Sequence, residues 1–196
     1  MDLTEKTLES REVYRGRILR VREDRVLLPN GQEAQREIVE HPGGVGILAL
    51  DADGCAVMVR QYRYAFGQTL LEIPAGKREK GEQPDETARR ELQEEVGATA
   101  REWQSLGEVI ASPGCYDEVL YLYLARDLTF GAQHPDEDEF LNVERIPFDE
   151  LLRRCLQNDA AHDDRIRPPA HRHRHPPGRN DRQLLLHRPR HRRCYR

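Results

Sequence analysis

The sequence predicts one α/β domain in which strands precede, separate and follow two helices. Short apolar segments bounded by Gly, Pro and Asn predict the strands, and two amphipathic segments predict the helices. Hydrophobic residues make up 37% of the 196 residues and charged residues 34%, a polar composition that still supplies a core. Strands on both sides of helices are typical of a mixed α/β domain.

The N-terminal part has the pattern of antiparallel strands over residues 12–40. Strands at 21–28 and 33–39 flank the turn 29–32, whose Asn-Gly pair suits positive φ angles. The Pro-Gly-Gly run at 42–44 then interrupts the pattern. Further strands are predicted at 45–50, 55–59, 70–73, 119–124 and 140–146.

Helices are predicted at 84–96 and 148–156. Pro84 suits the first helical turn, where its missing N–H costs nothing, and Gly97 suits the C-terminal cap. Apolar residues four apart form the stripe expected to be buried in the first helix: Ala88, Leu92 and Val96. The apolar side of the second helix is formed by Leu151, Leu152 and Leu156.

Charge divides the chain into an acidic body and a basic end. Residues 163–196 contain 11 Arg and 3 Asp, a net charge of +8, although the whole chain carries −4. Residues 1–162 therefore carry −12. The basic end also holds five of the eight His and has no amphipathic period. We therefore predict that residues 159–196 form a disordered, Arg/His/Pro-rich tail.

Three interpretations of this tail are open. The first is a nucleic-acid-binding arm, since Arg clusters neutralise phosphates. The second is a weak metal site formed by His171, His173 and His175. The third is that the tail has no evolved role. The lack of Lys and the Arg, His and Pro bias favour the last, as in a GC-rich gene translated out of frame near its end. Nucleic acid is therefore not an expected partner.

No apolar run approaches the ~20 residues that cross a bilayer, and the N-terminus lacks the apolar stretch of a secretory signal. The four Cys are widely spaced and match no zinc pattern. These features favour a cytoplasmic protein with reduced cysteines and no membrane partner.

The most informative stretch is 76–98, which contains the first predicted helix. Glu91, Glu94 and Glu95 lie at i, i+3 and i+4, so they share one helix face. Like charges one turn apart repel each other, and Arg90 is placed to pair with Glu94. Carboxylate oxygens are the ligands that Mg²⁺ prefers, so this face is a candidate metal site. A solvated acidic surface is the competing interpretation.

The full spacing of this stretch decides between the two. It fits G-x5-E-x7-R-E-U-x-E-E-x-G-U, where U is aliphatic, with seven fixed identities at Gly76, Glu82, Arg90, Glu91, Glu94, Glu95 and Gly97. At roughly 7% usage per residue type, a chance match at one start is on the order of 10⁻⁸. The pattern is the signature of the Nudix hydrolases, and residues 10–158 resemble that family. Ala98 is smaller than the usual last residue.

The resemblance implies a Nudix α/β/α sandwich around a mixed sheet, with a divalent-cation site beside a substrate diphosphate. The implied cofactor is Mg²⁺, with Mn²⁺ as an alternative. Arg90 is expected to orient the glutamates and Glu82 to support them. The implied metal ligands are Glu91, Glu95, the assisting Glu94 and the Ala75 carbonyl.

Hydrolysis also needs a carboxylate that orients or deprotonates the attacking water. The resemblance implies that this base comes from a loop in the region of the acidic run 136–139. Glu137 and Glu139 are both candidates, and the sequence does not separate them. A solvated acidic loop is the alternative for each residue.

Several short motifs resemble the ADP-ribose pyrophosphatase branch of the family. The chain has RQYR at 60–63, LEIPAGK at 71–77 and an SPG-x-x-DE loop at 112–118, in which Pro113 follows Gly97 by 16 residues. The resemblance implies these substrate contacts: Arg36 and Arg63 at the phosphates or adenine, Glu118 at the ribose or a metal-bound water, and Pro113 as the marker of the branch. A surface ion pair is the alternative for either arginine.

The resemblance also covers the N-terminal strands. It implies a small antiparallel sheet over 1–44 that packs across a two-fold axis, then a Nudix domain over 45–158 and the tail 159–196. A homodimer is therefore expected, with Arg36 acting in trans.

The leading hypothesis is Mg²⁺-dependent hydrolysis of the pyrophosphate bond of ADP-ribose to AMP and ribose 5-phosphate. The same chemistry on another nucleoside diphosphate sugar is the first alternative, because pocket contacts rather than the motif set specificity. A Nudix-like ligand sensor or regulator is the second alternative, and the complete glutamate set argues against it.

Overall fold

The computed structural model of the chain describes residues 1–157. The predicted tail 159–196 lies outside the described residues. In chain order the elements are β1 (Lys6–Arg15), β2 (Arg20–Leu27), β3 (Glu33–Glu40), β4 (Gly44–Leu50), β5 (Cys55–Arg63), β6 (Gln68–Glu72), β7 (Ala75–Lys77), α1 (Pro84–Val96), β8 (Ala98–Ile110), β9 (Val119–Phe130), β10 (Leu141–Pro147) and α2 (Phe148–Gln157).

The strands form two sheets. Strands β1, β2 and β3 make a three-stranded antiparallel sheet, as predicted for the N-terminal part. The larger sheet has seven strands in the order β10-β5-β4-β9-β8, with β6 on β5 and β7 on β4. Strands β4 and β9 are parallel and the other pairs are antiparallel, so the larger sheet is mixed.

Strand β5 shows that the larger sheet has a core on both faces. Val57 and Val59 belong to one buried cluster, which includes Leu92 of α1. Ala56 and Met58 belong to the other, against which Leu151 of α2 packs. Because alternate residues of a strand point to opposite faces, the two helices cover opposite sides of the sheet. The predicted α/β/α sandwich is therefore confirmed.

Helix α1 follows the predicted rules at its ends and along its apolar stripe. Pro84 is its first residue, and Gly97 caps it with a left-handed φ of 70°. The Gly97 N–H donates to the Gln93 carbonyl at 2.9 Å. The predicted stripe is buried, with Ala88 and Leu92 fully enclosed. The helix is thereby fixed against the sheet along its whole length.

Strand β8 departs from the sequence prediction, which assigns no element to 98–110. Only Ala98 is buried in this 13-residue strand, and Ala100 and Trp103 are half-buried, so no alternating apolar pattern marks it. Pairing with β9 over most of its length makes it a strand. Strand β1 likewise exposes all ten of its residues and is a strand because it pairs with β2. It begins at Lys6, whereas the sequence predicts strands only from residue 12.

Helix α2 uses only part of its predicted apolar side. Leu151 packs against the core, whereas Leu152 and Leu156 are 47% and 70% exposed. Within the described residues, the predicted apolar side of α2 therefore meets the core through Leu151 and leaves the other two leucines largely exposed.

Within residues 1–157, no helix has both the length and the apolar character needed to cross a bilayer. Cys55, Cys115 and Cys155 are free thiols.

Gly97→Ala is expected to destabilise the fold more than Gly54→Ala. Both glycines have positive φ angles, 70° and 75°, a region that costs a residue with a Cβ about 1–2 kcal/mol. A Cβ at Gly97 would also lie 2.7 Å from the carbonyl carbon of Ala132, whereas nothing lies within 4 Å of one at Gly54. Urea denaturation should therefore show a loss of about 1 kcal/mol for Gly54→Ala and at least about 2 kcal/mol for Gly97→Ala. Equal losses would contradict this account.

Candidate active site

The site is built where the short strand β7 faces helix α1. Gly76 of β7 lies directly against the side chain of Glu91. A Cβ at Gly76 would lie 1.9 Å from the carboxyl carbon of Glu91, so any larger residue would displace that carboxylate. This contact gives a physical reason for the first glycine of the motif.

Two of the three motif glutamates on α1 are buried. Glu91 and Glu95 are 7% and 2% exposed, whereas Glu94 is half-exposed. The Ala75 N–H donates to Oε2 of Glu95 at 3.0 Å and fixes that side chain. The alternative of a solvated acidic face therefore does not hold for Glu91 and Glu95, which turn toward β7.

Burial raises the pKa of both inward-facing carboxyls. Loss of solvation raises the pKa of Glu91 to about 7, opposed by the charge of Arg90. Burial raises the pKa of Glu95 to about 8, opposed by the Ala75 N–H and reinforced by the negative charges of Glu91 and Glu139. The ionised pair therefore lacks positive charge, which a cation bound here would supply.

The donor set fits a hard divalent cation. Glu91, Glu94 and Glu95 offer carboxylate oxygens, and the backbone of Ala75 lies beside them. Within residues 1–157, no three acidic, His or Cys side chains enclose an ion by themselves. Two carboxylates nevertheless suffice for a small cation such as Mg²⁺, which usually keeps several waters and takes its remaining ligands from substrate phosphates.

Arg90 holds the acidic residues that surround it. Its guanidinium contacts the carboxylates of Glu82 at 3.0 Å, Glu91 at 2.9 Å and Glu94 at 2.7 Å. The hydrogen bond from Arg90 lowers the pKa of Glu82 to about 2, and the same bond raises the pKa of Arg90. The predicted pairing of Arg90 with Glu94, and the reach of Glu82 toward the same cluster, are confirmed.

An open cleft of about 230 Å³ borders β7. Its walls include Arg63 from the end of β5, Ala75 and Gly76 from β7, and Glu118 from the loop before β9. Three residues predicted for the site, Arg63, Ala75 and Glu118, thus meet in one cleft. His41 also lines it, and the sequence analysis missed this residue. Its only signal in the sequence is its place just before the Pro-Gly-Gly break.

Arg63 is half-buried and held in one orientation at the cleft. Its Nη2 lies 2.6 Å from Oε2 of Glu72, and its Nε donates to Oε1 of Glu72 at 2.9 Å. Hydrogen bonding to Glu72 raises the pKa of Arg63, and the charges of Glu95 and Glu139 add to that effect. The cleft therefore has a positive group in its wall that Glu72 holds in one orientation.

In the acidic run after β9, Glu139 acts electrostatically on the two buried glutamates. Glu139 is half-buried, whereas Glu137 is exposed. Burial and the charge of Asp136 raise the pKa of Glu139. The charge of Glu139 in turn contributes to the raised pKa values of Glu91 and Glu95. The structure therefore brings Glu139 near the acidic pair, a distinction that the sequence did not make.

Two residues predicted for substrate binding do not line this cleft in the described chain. Pro113 is exposed in the loop 112–118. Arg36 lies on β3, where its Nη2 is 2.6 Å from Oε1 of Glu5. In a single copy of the chain, Arg36 therefore forms a surface ion pair, which was the alternative to substrate binding.

Glu95→Gln is expected to stabilise the metal-free protein at pH 8. A carboxyl whose pKa is raised by folding stabilises the folded state fully below its unfolded pKa of about 4.5, and this contribution is lost as the pH rises through about 8. Gln keeps an acceptor for the Ala75 N–H and carries no charge. Urea denaturation in EDTA should give a gain of about 2 kcal/mol at pH 8 that falls below about 1 kcal/mol at pH 5.

The matched control for this measurement is Glu94→Gln, because Glu94 lies on the same helix and is half-exposed. It should show no gain that depends on pH in this way. Parallel pH curves for the wild type and Glu95→Gln would contradict the burial of an ionisable Glu95.

Two family models match consecutive parts of the chain. The NUDIX domain matches residues 40–167, and the nucleoside diphosphate sugar hydrolase N-terminal domain matches residues 5–39. The boundary between them falls at the end of β3, where the N-terminal sheet gives way to the larger sheet.

Relatives and a solved structure resemble most of the chain. It is 40% identical over 153 residues to the ADP-ribose pyrophosphatase of Bacillus subtilis (strain 168), covering 77% of this chain and 83% of that protein. It is 43% identical over 150 residues to the methanol dehydrogenase activator of Bacillus methanolicus, covering 76% and 81%. A crystal structure of an ADP compounds hydrolase matches with a TM-score of 0.71 and 25% identity, covering 81% of this chain and 87% of that one.

These matches agree with the site that the residues build. Three of the motif glutamates lie on α1 and Glu82 lies just before it, and the helix packs on the seven-stranded mixed sheet. The NUDIX match alone covers more than half of the chain. The chain therefore belongs to the Nudix family and is a Nudix hydrolase.

Proposed function

We propose that this chain cleaves the pyrophosphate bond of ADP-ribose and releases AMP and ribose 5-phosphate. The observation that carries the proposal is the buried acidic pair, Glu91 and Glu95, beside a cleft that also holds Arg63. The N-terminal family match supports a nucleoside diphosphate sugar as the substrate class. The relative named ADP-ribose pyrophosphatase and the structural neighbour named ADP compounds hydrolase support ADP-ribose itself.

Nudix hydrolases generally use a divalent metal. We infer that Mg²⁺ serves here, with Mn²⁺ as the alternative, because both accept carboxylate and carbonyl oxygens. A bound divalent cation neutralises phosphate oxygens and activates a water. The residues that would hold it are Glu91, Glu95, the assisting Glu94 and the Ala75 carbonyl.

The positive groups at the cleft suit a diphosphate. Glu72 holds the planar guanidinium of Arg63 in place, and such a group pairs with phosphate oxygens through two parallel hydrogen bonds. Lys77 also lines the cleft and adds a second positive charge. Arg90 acts through its neighbours, because its bonds to Glu91 and Glu94 orient these two carboxylates.

Glu139 is our candidate for the group that orients or deprotonates the attacking water. A general base works best when its pKa lies closer to the working pH than that of an ordinary carboxyl, and burial moves the pKa of Glu139 in that direction. Its charge acts on Glu91 and Glu95, which supports a position near the reaction. The exposed Glu137 lacks this support.

We infer a homodimer in which residues 1–44 form the contact region and Arg36 acts in trans. Large apolar side chains on β1 and the following turn support it: Leu8, Val13, Tyr14 and Ile18 are between 40% and 57% exposed. Burial of such groups drives association. In the partner's cleft, Arg36 would bind the phosphates or adenine beside Glu118. A cytoplasmic location remains our proposal for the compartment.

Another nucleoside diphosphate sugar is the second candidate substrate. The cleft that residues 1–157 form has no Phe, Tyr or Trp in its walls, so the described walls offer no large aromatic ring to hold one particular base. The N-terminal family match also names the substrate class without a base. Competition between ADP-ribose and GDP-mannose in one assay separates the candidates, because the preferred substrate suppresses turnover of the other.

Glu95→Gln is expected to lower the rate of ADP-ribose hydrolysis by about 10³-fold or more, because it removes a charged metal ligand. Chromatography of ADP-ribose incubated with protein and Mg²⁺ should show AMP and ribose 5-phosphate for the wild type and not for Glu95→Gln. The control is Glu86→Gln, which changes an exposed residue of the first helical turn and should keep wild-type products. Unchanged hydrolysis by Glu95→Gln would refute the metal role.

Glu139→Gln and Glu137→Gln are expected to differ. If Glu139 orients or deprotonates the water, Glu139→Gln lowers kcat by about 10²–10⁴-fold and leaves KM nearly unchanged. Glu137→Gln should stay within about threefold of the wild type, since its side chain is exposed. The reverse pattern in steady-state kinetics would move the role to Glu137.

A further inference from the structure

The chain that follows β9 docks on the C-terminal end of helix α1. Its residues 131–134, called the docking segment below, come directly after the last residue of the strand. The Gly131 N–H donates to the Gly97 carbonyl at 2.6 Å, and the His134 N–H donates to the Glu94 carbonyl at 3.0 Å. Two backbone hydrogen bonds therefore join the docking segment to the end of the helix.

Gln133 adds a side-chain hydrogen bond to the same helix end. Its amide nitrogen donates to the backbone carbonyl of Glu95, and this contact is half-buried. An α-helix leaves its last four carbonyls without partners inside the helix, and in α1 these include the carbonyls of Glu94 and Glu95. The docking segment supplies a donor to each of the two. Gln133 therefore binds the backbone of a residue whose carboxylate belongs to the buried acidic pair.

The docking segment lies so close to α1 that Gly97 has no room for a side chain. A Cβ at Gly97 would lie 2.7 Å from the carbonyl carbon of Ala132 and 2.8 Å from the backbone nitrogen of Gln133. Gly97 is also the last glycine of the motif. This residue therefore serves two purposes, the left-handed cap of the helix and the close approach of the docking segment.

Docking restricts where Glu139 can lie. Glu139 follows His134 by five positions, a span of at most about 18 Å for extended chain. The Glu139 N–H donates to the Asp136 carbonyl at 3.0 Å, and this turn shortens the span. Two positions further on, Leu141 pairs with Gln61 of β5. The loop that carries Glu139 is therefore short and is held at both ends, by α1 and by the larger sheet.

We propose that Gln133 is a positioning residue that holds Glu139 beside the buried acidic pair by fastening the docking segment to α1. Glu139 is half-buried, and its charge acts on Glu91 and Glu95, as expected of a group held near them. This role rests on the proposed function, in which Glu139 orients or deprotonates the attacking water. Gln133 acts through Glu139 and does not touch the reacting atoms.

The test replaces Gln133 by Met, a side chain of similar length that cannot donate a hydrogen bond. Displacement of a catalytic group by about 1 Å costs up to about 10²-fold in rate. Gln133→Met should therefore lower kcat for ADP-ribose by about tenfold and leave KM nearly unchanged, the same division as in Glu139→Gln. A loss that falls mainly on KM, or a kcat within about twofold of the wild type, would overturn the proposal.

The matched control is Gln93→Met, which makes the same change at an exposed residue in the last turn of the same helix. It should keep the wild-type kcat. The rescue variant is Gln133→Lys, whose ammonium group restores a donor of similar reach at a helix C-terminus. Its kcat should return to within about threefold of the wild type. Equal losses in Gln133→Lys and Gln133→Met would show that the hydrogen bond is not what matters.

A double-mutant cycle separates the positioning of Glu139 from a general weakening of the fold. In the Glu139→Gln background, Gln133→Met should cause no further loss of kcat, because the group that it positions has already been removed. Losses that multiply would show that Gln133 acts on something other than Glu139, and they would overturn the proposal.

A second measurement does not depend on turnover. Hydrogen exchange of the peptide covering 131–140, followed by mass spectrometry, should be about threefold faster or more in Gln133→Met than in the wild type and unchanged in Gln93→Met. Unchanged exchange in Gln133→Met would overturn the attachment.

The two kinds of failure are distinguishable. If the wild type hydrolyses no nucleoside diphosphate sugar, the proposed function fails, while the exchange experiment still decides whether Gln133 fastens the docking segment. If the wild type is active and Glu139→Gln keeps the full kcat, hydrolysis stands and the positioning role of Gln133 falls.

Discussion

Ionised carboxylates are costly to bury, yet helix α1 turns Glu91 and Glu95 into the protein. The surrounding groups are arranged to accommodate them. Gly76 leaves space for one carboxylate, the Ala75 N–H donates to the other, and Arg90 joins Glu91 to its acidic neighbours. These contacts offset only part of the cost, because both pKa values stay raised. The remaining deficit of positive charge is the physical basis of an affinity for divalent cations.

The rest of the fold holds this acidic pair against a cleft. The apolar stripe of α1 fixes the helix on the sheet, and β7 pairs with β4 so that Ala75 and Gly76 face the helix. The end of β5 supplies Arg63, and the loop before β9 supplies Glu118. Residues far apart in sequence thus surround one small volume. Arg63 and Lys77 in its walls, and the buried acidic pair beside it, are charges that suit a metal-bound diphosphate.

The N-terminal sheet reaches the cleft through the end of β3. Strand β3 ends next to the loop 112–118, and His41 follows directly. The backbone of His41 bonds to Asp117, and its side chain lies beside Glu118. A sheet that the family match treats as a separate domain is therefore continuous with one wall of the site. This arrangement gives a physical route by which contacts of the N-terminal sheet affect the shape of the cleft.

The sequence alone determined helix α1, its caps and its buried stripe, because these depend on residues within one or two turns. It also determined the family, through the spacing of the glutamates and Arg90. It did not show β8, whose exposed side chains carry no alternating pattern and which is a strand only because β9 lies beside it. Tertiary structure alone decided which glutamates are buried, set Glu139 apart from Glu137 and brought His41 to Glu118. Burial and long-range contacts depend on how distant elements pack, and local spacing does not specify that packing.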